Sequence, residues 1–256
     1  MGCRDPAAGE KAASEIAVAT GAEKPIVMHL DLNDELSLET FASTIAAQYP
    51  SSVRCHVNNA GFAFKSADPT PFTGQTEPTL RPNFYQTVKL SQLMVPLLEA
   101  AEPAGCGRLV NVASMAGRLN QLQPAMQAQF TDPELTLDTL KGLVDHFKSS
   151  VQNGTHAAEG FSNSNYGMSK LALIAATKVL AREHPLIRIN ACCPGYCDTD
   201  MTSHKGPRSV TVLSPNLCSR MCINVWSTYK REETVLRPPL PPPHLLTFML
   251  TCAAQY

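Results

Sequence analysis

The sequence predicts an α/β protein built on a doubly wound parallel sheet. Two observations carry this expectation. Short strand-like runs alternate with longer helix-like segments along most of the chain, the order that lays strands side by side with helices on both faces. At 256 residues, with 44% hydrophobic content, the chain also holds enough apolar material for one large α/β domain.

The elements follow in order. Asp5 to Thr20 reads as a helix rich in Ala and Glu, with Pro6 in its first turn. Pro25-Ile-Val-Met-His-Leu30 is a short apolar strand ending at Asp31, and Asp34 to Gln48 is an amphipathic helix. Val53 to Val57 reads as a strand, unusually polar for a sheet centre because of Arg54 and His56. A long helical pattern runs from about Pro78 to Ala101, then Arg108 to Ala113 is a strand. Thr131-Asp132-Pro133-Glu134 has the form of a capping box opening a helix. Behind it Leu137, Leu140, Val144, Phe147 and Val151 recur at alternating spacings of three and four, so one stripe packs down. A helix apolar nearly all round runs to about Glu183 and stops at His184-Pro185, and Ile187 to Cys193 is the last clear strand.

Composition narrows the function classes. A net charge of −1 argues against a nucleic-acid partner. No apolar run reaches membrane-span length, and the first residues lack a signal peptide's apolar core. Met1-Gly2-Cys3 begins like an acylation signal, but Pro6 stands where Ser or Thr is wanted. The nine cysteines show no Cys-x-x-Cys, and Cys218-x-x-x-Cys222 has no His at finger spacing. No metal site is therefore expected, and reduced thiols in a cytoplasmic protein are. Cys197 falls near the expected substrate end.

Tyr166-Gly-Met-Ser-Lys170 is the most informative stretch, because residues four apart on a helix share one face. An ammonium beside a phenol favours the phenolate, drawing the tyrosine below its usual pKa of about 10. In chain order the other motifs are Asn58-Asn59-Ala60-Gly61, Asn83, Asn111-Val-Ala-Ser114 and Cys193-Pro194-Gly195. Together these resemble the short-chain dehydrogenase/reductase family. The stretches Asn58 to Lys65, Ala67 to Phe72 and Asn190 through Gly195 to Met201 are similar to its carbonyl reductase branch. The resemblance covers roughly residues 2 to 202.

The resemblance implies a Rossmann-like fold and reduction of ketones or aldehydes by hydride transfer from NADPH. Tyr166 would donate the proton, Lys170 would lower its pKa and meet the nicotinamide ribose, and Ser114 would hold the substrate oxygen. Asn83 would anchor a water linking Lys170 to solvent. It follows Pro82, and Gln86 replaces a customary glycine, so that helix turn is expected to be distorted. Asp31 would meet the adenine, Asn58, Ala60 and Gly61 the adenine-ribose side, and Pro194, Gly195 and Thr199 the nicotinamide. Arg4, just beyond the expected second strand, would face the 2′-phosphate. A helical insertion at about 118–160, similar to one in the carbonyl reductase branch, would cover the faces relatives use to dimerise. A monomer acting on a small-molecule carbonyl substrate is the resulting expectation.

Two departures temper the activity. The family's first strand and glycine-rich turn would precede Gly2, and no Thr-Gly-x-x-x-Gly-x-Gly stands anywhere in the chain. Without two or three charge-assisted hydrogen bonds of ~1.5–3 kcal/mol each, cofactor binding would weaken about a thousandfold or more. The central strand between the Val27 and Val53 strands would also be lacking, leaving open edges. After Thr202 the likeness fades, and Arg237-Pro-Pro-Leu-Pro-Pro-Pro243 cannot form a helix or central strand. Residues 1–202 are thus expected to form an incomplete domain. Residues 203–256 are expected to form a divergent, poorly ordered tail without a convincing further strand. The alternative function is a catalytically silent, truncated relative serving as a binding or regulatory module, or a non-functional fragment.

Overall fold

Two parallel sheets carry the expected strands in a computed structural model that describes residues 1–207 and 248–250. The smaller sheet pairs β1 (Gly2–Cys3) with β2 (Met28–His29). Between them runs α1 (Pro6–Thr20), whose N-terminal amides on Ala7 and Ala8 are taken by the Asp5 carboxylate, with Pro6 in the first turn as read from sequence. After β2 comes α2 (Glu35–Gln48), capped by Asp34.

The larger sheet contains β3 (Cys55–Asn58), β4 (Arg108–Val112) and β5 (Arg188–Cys192), each within one to three residues of its predicted bounds. A fourth strand, β6 (Phe248–Leu250), gives the order β5-β4-β3-β6, all neighbours parallel. The expectation that residues 203–256 hold no further strand is corrected here. Residues 208–247 and 251–256 of that tail, with the Arg237–Pro243 run and Cys218-x-x-x-Cys222, lie outside the described residues.

The helix expected from Pro78 begins earlier. It comprises α3 (Phe72–Leu80), a π-helical segment Arg81–Gln86, and α4 (Thr87–Glu99). Pro78 sits inside α3 and not in its first turn, because Pro71 already ends the extended segment. The turn at Pro82 is distorted as the sequence foretold. Pro82 has no amide to give, the helix widens around it, and its carbonyl accepts the Thr87 hydroxyl five residues on at 2.7 Å.

Beyond β4 lie α5 (Pro124–Phe130) and α6 (Leu137–Asn153). The predicted capping box is corrected. Thr131 closes α5, its hydroxyl bonded back to Gln127, while Thr136 caps α6 by accepting the Thr139 amide. Asp132 only turns the chain, accepting the Glu134 amide, and Arg182 pins the turn through the Pro133 and Leu135 carbonyls. The predicted stripe Leu137, Leu140, Val144, Phe147 and Val151 is buried throughout, and α6 packs on α3 and on α7 (Asn165–Glu183). Phe147 is fully enclosed and meets the Phe161 ring at 5.5 Å between centroids. Phe147→Ala is therefore expected to cost about 3–5 kcal/mol in urea unfolding. A loss below about 1 kcal/mol would mean that α6 is not part of the cooperative core.

His56, the polar oddity of β3, is fully buried. Its Nε2 lies 2.8 Å from Asn58 Oδ1, and Nδ1 has no partner. Asn58 also donates to Ser91 Oγ and Asn111 Oδ1, and Asn111 donates to Thr177 Oγ1, so a polar chain crosses the strands towards α4 and α7. Burial pulls the His56 pKa from 6.5 to about 4, against the opposing pull of Asn58. The unfolded chain thus takes up this proton first on acidification. Stability should fall between pH 6.5 and 4 by about 3 kcal/mol from this group. Urea midpoints compared at pH 7.5 and 4.5 should drop further for the native chain than for His56→Leu; equal drops would refute the assignment.

Candidate active site

The chain leaves β4 through Ala113 and enters a 3₁₀ turn at Met115–Gly117. Ser114 caps that turn, its Oγ accepting the Ala116 amide at 3.1 Å, and its hydroxyl lies close enough to Tyr166 to pull that phenol's pKa down. Gly117 makes the approach possible. A Cβ there would lie 2.8 Å from Leu171 N and from Lys170 C, so a side chain would push the Ser114 turn off α7. On the other side Ser164 caps α7 by accepting the Gly167 amide, which places Tyr166 in the first turn and Lys170 one turn later.

Lys170 is 3% exposed, donates from Nζ to the Val112 carbonyl at 2.9 Å, and lies 5.7 Å from the Tyr166 ring centroid. Burial draws its pKa down to about 8, partly offset by Cys192 and Cys193. Tyr166 departs from expectation. Burial raises its pKa, the nearby Ser114 hydroxyl pulls it down, and Cys193 adds to the rise. The expected lowering by Lys170 does not appear: burial is the largest cause, and the ammonium donates to Val112 O and stands 5.7 Å from the ring centroid.

Asn83 is drawn in by the π-helical segment. Its Oδ1 accepts the Phe62 amide at 2.7 Å, and its Nδ2 donates to Phe62 O at 2.8 Å and Ser169 Oγ at 3.0 Å. Both amide hydrogens are thus committed to protein groups, so the side chain clamps the Ala60–Phe62 turn, whereas the resemblance implied a water anchor. Ser169 was not singled out from sequence, although it lies inside the Tyr166–Lys170 motif. Fully buried, it ties Asn83 to the Tyr166 carbonyl, to which it donates at 2.8 Å. Gly61 lies against this group: a Cβ there would stand 3.3 Å from Lys170 Nζ and 3.6 Å from Asn83 Oδ1.

The third wall follows β5. Cys193 Sγ accepts the Met115 amide at 3.2 Å and the Gly195 amide at 3.4 Å, stitching the Pro194-Gly195 turn to the Ser114 turn. Thr199 and Thr202 bond reciprocally around a 3₁₀ turn at Asp200–Thr202, and Met201 of that turn reaches towards Gly61. Cys197 is buried beneath it. The structure therefore gathers Ser114, Tyr166, Lys170, Asn83, Gly61, Pro194 and Gly195 at the carboxyl end of the larger sheet, with Thr199 on the adjoining loop. Asn58 and Ala60 border the group, but the Asn58 amide is spent inside the polar chain. Arg4 and Asp31 stand at the carboxyl ends of the other sheet, where Asp31 Oδ1 accepts the Asn33 amide at 2.8 Å.

These residues fit one half of a nicotinamide dinucleotide. Among the described residues Lys170 makes one hydrogen bond and no ion pair, so its buried ammonium keeps two hydrogens for a ribose diol close to Gly61. For the pyrophosphate, no glycine-rich strand-to-helix turn stands among the described residues, and the α1 amides are filled by Asp5. Among the described residues no cluster of three His, Cys, Asp or Glu side chains could hold a metal, and no helix is long and apolar enough to cross a membrane.

Comparison with known proteins agrees with this arrangement. The profile of the short chain dehydrogenases matches residues 3–126 and 149–209, skipping only residues within α5 and α6 and the turn between them. The chain is 32% identical to carbonyl reductase [NADPH] 1 of Rattus norvegicus over 214 residues, covering 80% of this chain and 74% of that protein. It is 34% identical to carbonyl reductase [NADPH] 3 of Mus musculus over 215 residues, covering 81% and 75%. Salutaridine reductase from Papaver somniferum has the same fold, with a TM-score of 0.70 at 23% identity over 81% of each chain. With the motifs in register, the doubly wound parallel architecture and these relatives, the chain belongs to the short chain dehydrogenase family, on its carbonyl reductase-like branch.

Proposed function

We propose that this chain reduces ketones or aldehydes to alcohols in an NADPH-dependent reaction. The observation that carries the reading is the Ser114 hydroxyl close enough to Tyr166 to lower its pKa, beside a buried Lys170 that pairs with no carboxylate among the described residues. NADPH, when bound, supplies the hydride. Tyr166 gives its phenolic proton to the carbonyl oxygen, and Ser114 holds that oxygen by a hydrogen bond as negative charge develops. Lys170 holds the ribose hydroxyls and keeps a positive charge under the site. Gly61 permits close backbone approach, Asn83 fixes the turn that presents it, and Pro194, Gly195 and Thr199 border the nicotinamide. Asp31, Asn58 and Ala60 take the adenine side and Arg4 the 2′-phosphate.

Fluorescence titration with NADPH, followed by NADPH consumption with a panel of aldehydes and ketones, tests the reading. Saturable binding and turnover are expected, with affinity weak for want of a phosphate cradle among the described residues. That same want favours a second reading, a silent relative, which predicts no saturable binding at all. The pH dependence is a further check. Lys170 loses its proton near pH 8, so the rate should fall as pH rises through 8 while Tyr166 stays protonated. A rate still climbing through pH 9 would overturn the role given to the ammonium.

The reading extends to assembly and place. We further propose a monomer, with the α5–α6 insertion covering the faces by which relatives would pair, and a cytoplasmic place, in keeping with the absence of a disulfide among the six described cysteines. A stable dimer in sedimentation would refute the first point.

A further inference from the structure

β6 pairs with β3 in the register Cys55↔Phe248, His56↔Met249 and Val57↔Leu250, on the flank of β3 opposite β4. This is the flank the sequence left without a strand. The local sequence, Leu245-Leu-Thr-Phe-Met-Leu-Thr-Cys252, is a short apolar run of the kind that fills buried parallel strands. About forty residues separate it from the end of the preceding described stretch at Pro207, ample chain to reach any part of a domain this size. The run carries the chain no glycine: Thr251-Cys-Ala-Ala-Gln-Tyr256 follows, so nothing in it could wrap a phosphate as a glycine-rich turn does.

We propose that the outer flank of β3 is a strand-receiving site and that its occupant is the chain's own C-terminal segment, Phe248–Leu250. The segment acts in cis as a substitute sheet strand. It satisfies the backbone groups of β3 that face away from β4 and blocks edge-to-edge pairing with other chains. It completes the sheet without supplying a cofactor turn. Orientation supports the assignment: β6 runs parallel to β3, as a native strand of this sheet would, not antiparallel as an opportunistic edge contact could. The inference does not depend on the reductase reading.

Hydrogen exchange on the full chain, followed by mass spectrometry, tests it. Amides of Phe248–Leu250 should exchange at least tenfold more slowly than the same amides in a free peptide of that sequence, in a species that sediments as a monomer. Exchange at the free-peptide rate would overturn the proposal. Protection that appears only in a dimer would also overturn it, since the strand would then come from a second copy. A chain ending at Pro243 should lose protection in the β3 amides that donate to β6, keep it in α7, and self-associate as concentration rises. Unchanged β3 exchange and a persistent monomer would count against the proposal. Should the shortened chain fail to fold, the full-chain exchange alone decides.

Discussion

Replacing Tyr166 by Phe is expected to lower carbonyl reduction about a thousandfold while leaving NADPH affinity unchanged, because a positioned proton donor contributes roughly 10²–10⁴ in rate. The substitution keeps the ring that Lys170 overlies and removes only the phenol hydroxyl, which lies near Ser114. Steady-state NADPH oxidation and fluorescence titration, run on the same preparation, separate chemistry from binding. A Phe variant that turns over like the native chain would remove the phenol from the mechanism. Ser114→Ala should act in the same direction.

Lys170→Met is expected to move activity and stability in opposite directions. The folded pKa of about 8 lies below the ordinary 10.5, so the unfolded chain holds this proton more tightly. Folding is therefore penalised at every pH below 8, and the penalty fades as pH rises through 10.5. At neutral pH it amounts to about 3 kcal/mol, from which the lost bond to Val112 O subtracts about 1 kcal/mol. A methionine of similar length should thus leave the protein about 2 kcal/mol more stable at pH 7 and inactive. Urea unfolding at pH 7 and 9.5 reads the effect, with the advantage shrinking at the higher pH. A variant less stable than the native chain at pH 7 would show that the ammonium is better paired than this geometry indicates.

Much of the fold and site was legible in the sequence. Four of the six strands and five of the helices show through apolar runs and periodicity, and the stripe on α6 was read residue by residue. Tyr166, Lys170 and Ser114 announce themselves through helical spacing and position at a strand end. Several details did not. Thr131-Asp-Pro-Glu matches a capping box by type, yet an equally suitable Thr136 lies nearer the apolar stripe and wins. The raised pKa of Tyr166 depends on how deeply the folded chain buries the phenol, which no spacing encodes. Ser169 meets Asn83 through a contact that exists only once α7 packs on the π-helical segment. β6 escaped notice because the proline run just before it dominates that region, and its partner lies far away in sequence.

The widened turn at Arg81–Gln86 has a consequence for everything downstream of it. A helix advances about 100° per residue, so one additional residue in a turn rephases the helix that follows. Ser91, Met94 and Leu98 occupy the buried side of α4 under that shifted phase. Deleting one residue between Pro82 and Gln86 would restore an ordinary winding and roll those side chains by roughly a quarter turn towards water. The proline thus sets the azimuth of an entire helix, and with it the seat of the serine that anchors the Asn58 amide.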